Sequence, residues 1–208
     1  MEHKISEKVI KELIYNAISR SFSYNEYRVL LDQLVLKSGT TGVEQSQMYI
    51  DYTKLNQQRM KRLDKTIKLS EDVKIRIGEI PYKMIWLVLT ESWCGDAAQT
   101  IPVIHKLALL NENIFLKIIQ RDEHLELMDC FLTKGSRSIP KLLAIDPISN
   151  TVLWTWGPRP SEAALLAEEY KKEHGELTPH FKEILQVWYN TDKGKNTVVD
   201  LMKLLSLE

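Results

Sequence analysis

The segment "KMIWLVLT", residues 83–90, is a nearly continuous apolar run of strand length, and it constrains the fold more than any other part of the chain. A strand that shows no polar alternation is buried on both faces, the condition found inside a sheet covered by helices. A second such run, "NIFLKII" at 113–119, follows a helix-like pattern from Ala97 to Leu110, and a shorter helical pattern runs from Glu123 to Leu132. Strand, helix, strand, helix is a parallel crossover unit. Next, "KLLAID", the turn "PISN" and "TVLWTW" read as an antiparallel hairpin, closed by Gly157, Pro158, Arg159 and Pro160. Ahead of the unit, "VKIRI" at 73–77 alternates as a half-buried strand does.

Helical patterns flank this unit. Ile5, Val9, Ile10, Leu13, Ile14, Ala17 and Ile18 line one face; Ser23 and Glu26 have the spacing of a capping box for a helix carrying Tyr27, Leu30, Leu31 and Leu34, ended by Gly39 and Gly42. A third segment carries Met48, Tyr52, Leu55, Leu63 and Ile67, and the aromatic "FSYNEY" at 22–27 is suited to dock these helices. After the hairpin, helices are predicted from Ser161 to about Lys172, from Thr178 and Pro179 onward, and from Thr197 to Leu207. The 208 residues divide into an N-terminal helical extension (1–70), an α/β domain (71–175) and C-terminal helices (176–208) packed on the same body.

Composition narrows the function classes. Twenty-eight basic and 28 acidic residues cancel, so no global charge draws the chain to nucleic acid or anionic lipid. The basic stretch "RMKRLDKTIK" contains Asp64 and no aromatic residue, which fits a solvated helix face. The first twenty residues mix charges with apolar positions and resemble no signal peptide, and no run approaches a membrane span; a cytoplasmic protein is expected. His3, His105, His124, His174 and His180 have no compact ligand spacing, so neither metal nor cofactor is expected. Cys94 and Cys130 are too few for a disulfide scaffold.

Trp93, Cys94 and Gly95 stand at the turn between strand and helix, Pro102 lies inside the helix, Ile139-Pro140 precedes the hairpin and Gly157 ends it. In this layout the chain resembles the thioredoxin superfamily over roughly residues 83–172. The resemblance implies an α/β thioredoxin fold with an N-terminal helical extension and extra C-terminal helices. It also implies that Cys94 is the attacking thiol, Trp93 a groove wall, and Pro140 a cis proline whose preceding residue, Ile139, pairs with a substrate backbone. Three positions depart from the family pattern: Asp96 replaces the motif proline, Ala97 the second cysteine, and Val88 the buried aspartate. A local dithiol cycle is therefore impossible.

A helix N-terminus favours a thiolate, while Asp96 opposes it unless that carboxylate caps the helix or points away; the sequence leaves the sign open. Two readings follow. One is a monothiol oxidoreductase in which Cys94 attacks a protein or low-molecular-weight disulfide and an external thiol such as glutathione releases it. The other is a redox-inactive binding or adaptor module that uses the groove beside Pro140. Cys130, on a helix with Leu127 and Phe131, is expected to be a small core hydrophobe, the alternative being a resolving thiol for Cys94 if their Cα atoms lie within about 7 Å. Glu91 and Asp96 are acid or base candidates beside Cys94, or else structural caps. Trp154, Trp156 and Arg159 are either partner anchors or the cover of an edge strand.

Overall fold

The computed structural model describes residues 6–207; Ile5 and His3 lie outside the described residues. Its sheet has the order β2-β1-β3-β4, built from β1 (Met84–Thr90), β2 (Ile114–Gln120), β3 (Lys141–Ile145) and β4 (Val152–Trp156). β1 and β2 run parallel with Met84 opposite Ile114, while β3 is antiparallel to both β1 and β4. Trp86, Leu87, Val88 and Leu89 are fully buried, as the missing alternation requires. The crossover from β1 to β2 passes through a helix at Gly95–Ala108, with Pro102 inside it. This is the α/β thioredoxin-like architecture expected from the sequence.

Among the described residues four helices precede β1: α1 (Glu7–Ser19), α2 (Tyr24–Leu36), α3 (Gln47–Thr66) and α4 (Glu71–Gly78), so the crossover helix is α5. The capping box of α2 is formed, with the Glu26 amide donating to Ser23 Oγ at 3.3 Å and the Ser23 amide to the Glu26 carboxylate at 2.7 Å. The aromatics beside it dock the extension: Tyr24 and Tyr27 are buried, and Phe22 exchanges two 2.8 Å backbone hydrogen bonds with Ile118 on the outer edge of β2.

The strand expected at Val73–Ile77 is instead part of α4. Ser70 caps that helix by accepting from the Val73 amide, acidic Glu71 and Asp72 occupy its first turn, and Arg76 pairs with Asp72 one turn back at 2.9 Å. Val73 and Ile77, four apart, face the core, and the alternation fails at Ile75, which is 59% exposed.

After β2 comes a 3₁₀ turn at Arg121–Glu123 and a short α6 (Leu125–Asp129) in place of the single longer helix expected. The chain closes with α7 (Ser161–His174), α8 (Pro179–Asp192) and α9 (Lys195–Leu204). One core extends from Ile14 and Leu31 through the sheet to Leu201 and Leu205; a smaller one joins α7 and α8 through Ala163, Ala167, Phe181, Leu185 and Tyr189. Pro160, at the N-cap of α7, has no side-chain acceptor, and α9 supplies it: Asp200 accepts from the Ser161 amide at 2.8 Å and Asn196 from the Glu162 amide at 2.9 Å. Asp200 also accepts from the indole of buried Trp156 at 3.0 Å, and Trp154 meets Trp86 edge-on at 5.9 Å. Both tryptophans thus cover the sheet. No helix among the described residues is long and apolar enough to cross a membrane.

Candidate functional site

Cys94 is the N-cap of α5, with extended backbone (φ −75°, ψ 111°). Its Sγ accepts from the Ala97 amide at 3.5 Å and donates to the Ile139 carbonyl at 3.4 Å. Only 7% of the residue remains exposed. Burial first, and the charge of Asp96 second, push the thiol up to about 12; the Ala97 and Asp96 amides pull the other way and lose. The helix N-terminus is present, but desolvation outweighs it.

The residues two before and two after Cys94 fix it from opposite sides. Ser92 Oγ lies within 3.1 Å of the hydroxyls of Thr40, Thr41 and Thr53 and accepts from the Thr41 amide at 2.9 Å. The Ser92 carbonyl accepts from Asn56 Nδ2 at 2.9 Å. Every one of these groups is buried, and all belong to the N-terminal extension or the motif turn. Asp96 turns toward the C-terminal helices instead. Tyr189 Oη donates to its Oδ1 at 2.9 Å, and Arg159 Nε sits 2.9 Å from Oδ2 as an ion pair, off the axis of an aligned hydrogen bond. Its side chain is 13% exposed, and burial raises its pKa against the pull of Arg159 and Tyr189. Asp96 does not cap α5; that role belongs to the Cys94 sulfur.

A cavity of about 520 Å³ opens over this turn. Trp93, Cys94, Gly95, Asp96 and Ile139 form its floor. Met48, Tyr49, Tyr52 and Arg59 of α3 form one wall, and Lys182, Leu185, Gln186 and Tyr189 of α8 another. Tyr49 stacks on Trp93 with ring centroids 4.6 Å apart and planes within 9°, and the Arg121 guanidinium lies over the Trp93 ring at 5.2 Å.

Ala97, Pro140 and Gly157 do not line the cavity. The Ile139–Pro140 and Gly157–Pro158 peptide bonds are both cis. Gly157, at φ 109°, passes so close to Pro140 that a Cβ there would stand 2.2 Å from the Pro140 carbonyl oxygen. Only glycine fits.

Cys130 is not the core residue expected. It follows α6 as its C-cap, is half-buried, donates its thiol proton to the Glu126 carbonyl at 3.2 Å, and does not line the cavity. Leu127 and Met128 take the buried face, and Cys130, one residue past the end of α6, stays at its margin.

Glu91 is fully buried and lies outside the cavity: Oε1 accepts from the Asp122 amide at 2.9 Å, Oε2 has no hydrogen-bond partner, and burial raises its pKa. His105 stacks on Tyr24 at 3.9 Å, His124 contacts the Gln120 carbonyl, and His174 and His180 lie on exposed helix surface. Among the described residues, no group of three or more histidine, cysteine or acidic side chains converges as a metal site. The sequence motifs did not reveal Tyr49, Arg59, Lys182, Tyr189 or the hydroxyls around Ser92. They lie 35 or more residues from Cys94 and reach it only through tertiary packing.

Residues 42–171 match the family model described as thioredoxin. The structure is similar to the crystal structure of a protein of unknown function from Pseudomonas aeruginosa, with TM-score 0.56 and 19% identity over 89% of this chain and 98% of that one. It is also similar to the crystal structure of an HIV epitope-scaffold, with TM-score 0.55 and 17% identity over the same shares. At these identities the likeness concerns the fold alone. Comparison with curated proteins finds no sequence match.

Proposed function

The chain belongs to the thioredoxin family, and from that premise we propose that it is a redox-inactive binding module whose cavity over Cys94 holds a small molecule. The observation that carries this reading is the state of the sulfur: buried, donating its proton to the Ile139 carbonyl, and two residues from a carboxylate. Thiol chemistry runs through the thiolate, and every one of those features favours the neutral form. The cavity volume also suits a small ligand, within the range of about 300–1,000 Å³ usual for such sites. Its walls come from α3 and α8, which flank the motif turn.

One observation favours the monothiol reading: Cys94 lines the cavity, so a low-molecular-weight disulfide small enough to enter would meet the sulfur. Release would then require an external thiol, since Cys130 lies outside the cavity. Disulfide reduction by glutathione, measured with the protein and with Cys94→Ser, separates the two. The binding reading predicts equal background rates for both, and iodoacetamide alkylation of Cys94 that reaches half its limiting rate only far above pH 9. Reduction that depends on Cys94, or alkylation half-maximal below about pH 8.5, the ordinary thiol value, overturns it.

A further inference from the structure

The walls of the cavity include five cationic side chains, Arg59, Arg121, Arg137, Arg159 and Lys182, against one carboxylate, Asp96. Three of the five are already paired. Arg121 contacts Asp122 at 2.8 Å, Arg137 grips Asp129 at 2.6 and 2.7 Å, and Arg159 pairs with Asp96. Arg59 and Lys182 have no carboxylate partner among the described residues. Arg59 donates to the Asn56 amide oxygen at 3.0 Å; Lys182 donates to the Tyr52 hydroxyl at 3.3 Å and lies over that ring at 5.5 Å. Their partners are neutral. Arg59 is only half exposed, and burial first and neighbouring Arg62 second lower its pKa, with Tyr52 and the carboxylate of Asp96, which pairs with Arg159, opposing them from a distance.

Gly95 lies beneath this arginine. A Cβ at that position would stand 3.4 Å from Arg59 Nη1, so the guanidinium lies close over the first turn of α5, at the cavity floor. The rest of the lining is largely apolar, with Met48 from α3 and Leu185 from α8. A desolvated guanidinium, an ammonium and apolar walls suit a ligand with an anionic head and an apolar body.

We propose that the cavity takes a small organic anion, its carboxylate, phosphate or sulfonate bound by Arg59 and Lys182 and its apolar part set against Met48 and Leu185. The proposal rests on the reading of the cavity as a ligand site. Arg59 comes from α3, within the residues that match the family model, and Lys182 from α8, beyond them, so the selectivity for charge resides in the two helices that wall the cavity and the motif turn supplies its floor.

A matched pair of fluorescent probes tests it: 8-anilinonaphthalene-1-sulfonate, and N-phenyl-1-naphthylamine, which has the same ring skeleton without the sulfonate. The folded wild-type protein at low salt should bind the sulfonate tighter by about tenfold or more, the scale of one charge-assisted contact, with the gap closing as salt is raised. Arg59→Gln with Lys182→Gln should abolish the gap and leave binding of the neutral probe unchanged. If the double variant loses its native circular dichroism, Lys182→Gln alone, at an exposed position, should narrow the gap. Equal binding of both probes by wild type, or a gap that survives the substitutions, overturns the anion proposal while leaving the cavity as a ligand site. Binding of neither probe overturns both.

Discussion

Ser92 and Asp96 stand at equal distances along the chain from Cys94, yet the molecule treats them in opposite ways. Ser92 is held by neutral hydroxyls and amides from the N-terminal extension, all buried. Asp96 is held by a charge and a phenol from the C-terminal side, at the edge of a cavity. A neutral buried network contributes mainly rigidity, because each member left without a partner costs desolvation energy. A charged pair beside a titratable group acts over distance on that group's protonation. The segment from Thr40 to Asn56 therefore fixes where the sulfur is, and Asp96 with its partner Arg159, from the loop after β4, helps set which form it takes.

That division can be broken by experiment. The largest effect is expected from Ser92→Ala, which leaves the Thr41 amide and the hydroxyls of Thr40 and Thr53 without their common partner. Urea unfolding should show a loss of about 2–3 kcal/mol, with the pH profile of Cys94 alkylation in the folded protein unmoved. A shifted alkylation profile would erase the distinction between the two sides. Asp96→Asn removes the second cause of the raised Cys94 pKa and frees Arg159 to act on the thiolate. The alkylation midpoint should fall by about one pH unit, equivalent to ~1.4 kcal/mol. No downward movement would show that burial alone suppresses the thiolate.

The smallest effect is a difference in slope. Glu91, next to Ser92, is a buried carboxyl whose folded-state pKa is raised above its ordinary 4.5. The folded state therefore holds that proton more tightly than the unfolded chain does. The resulting stabilisation is present below pH 4.5 and is lost as pH rises through the folded value. Glu91→Gln keeps the neutral form at every pH, so its stability relative to wild type should increase between pH 4.5 and 7.5. Exposed acids with lowered pKa values, such as Asp129 and Glu168, tilt both proteins alike and cancel in the comparison. A flat or falling difference in urea midpoint would place Glu91 among ordinary carboxylates.

The sequence was most legible where one periodicity had one meaning. The run at 83–90 is too apolar for anything but a covered strand, and the Ser23 and Glu26 spacing marked a cap that exists. It misled at 73–77, where positions two apart and four apart overlap: Val73 and Ile77 satisfy a strand face and a helix face equally. The cap at Ser70 and the acidic first turn decide for the helix. Cys130 misled because its helix ends one residue before it, and helix ends are poorly marked in sequence. At the site, the motif located the floor of the cavity but not its walls. Arg59 and Lys182 read as ordinary polar positions on solvated helices until α3 and α8 converge over Trp93 and Cys94.

Phe22 has a consequence for how the molecule behaves in company. β2 is an outermost strand, and an unpaired strand edge is a template on which another chain can lay down a strand of its own. By taking both backbone bonds of Ile118, a single residue divides that edge into the stretches Ile114–Lys117 and Ile119–Gln120. Neither is long enough to nucleate much pairing. Two hydrogen bonds from the segment between α1 and α2 thus leave that edge of the sheet a poor template for another strand.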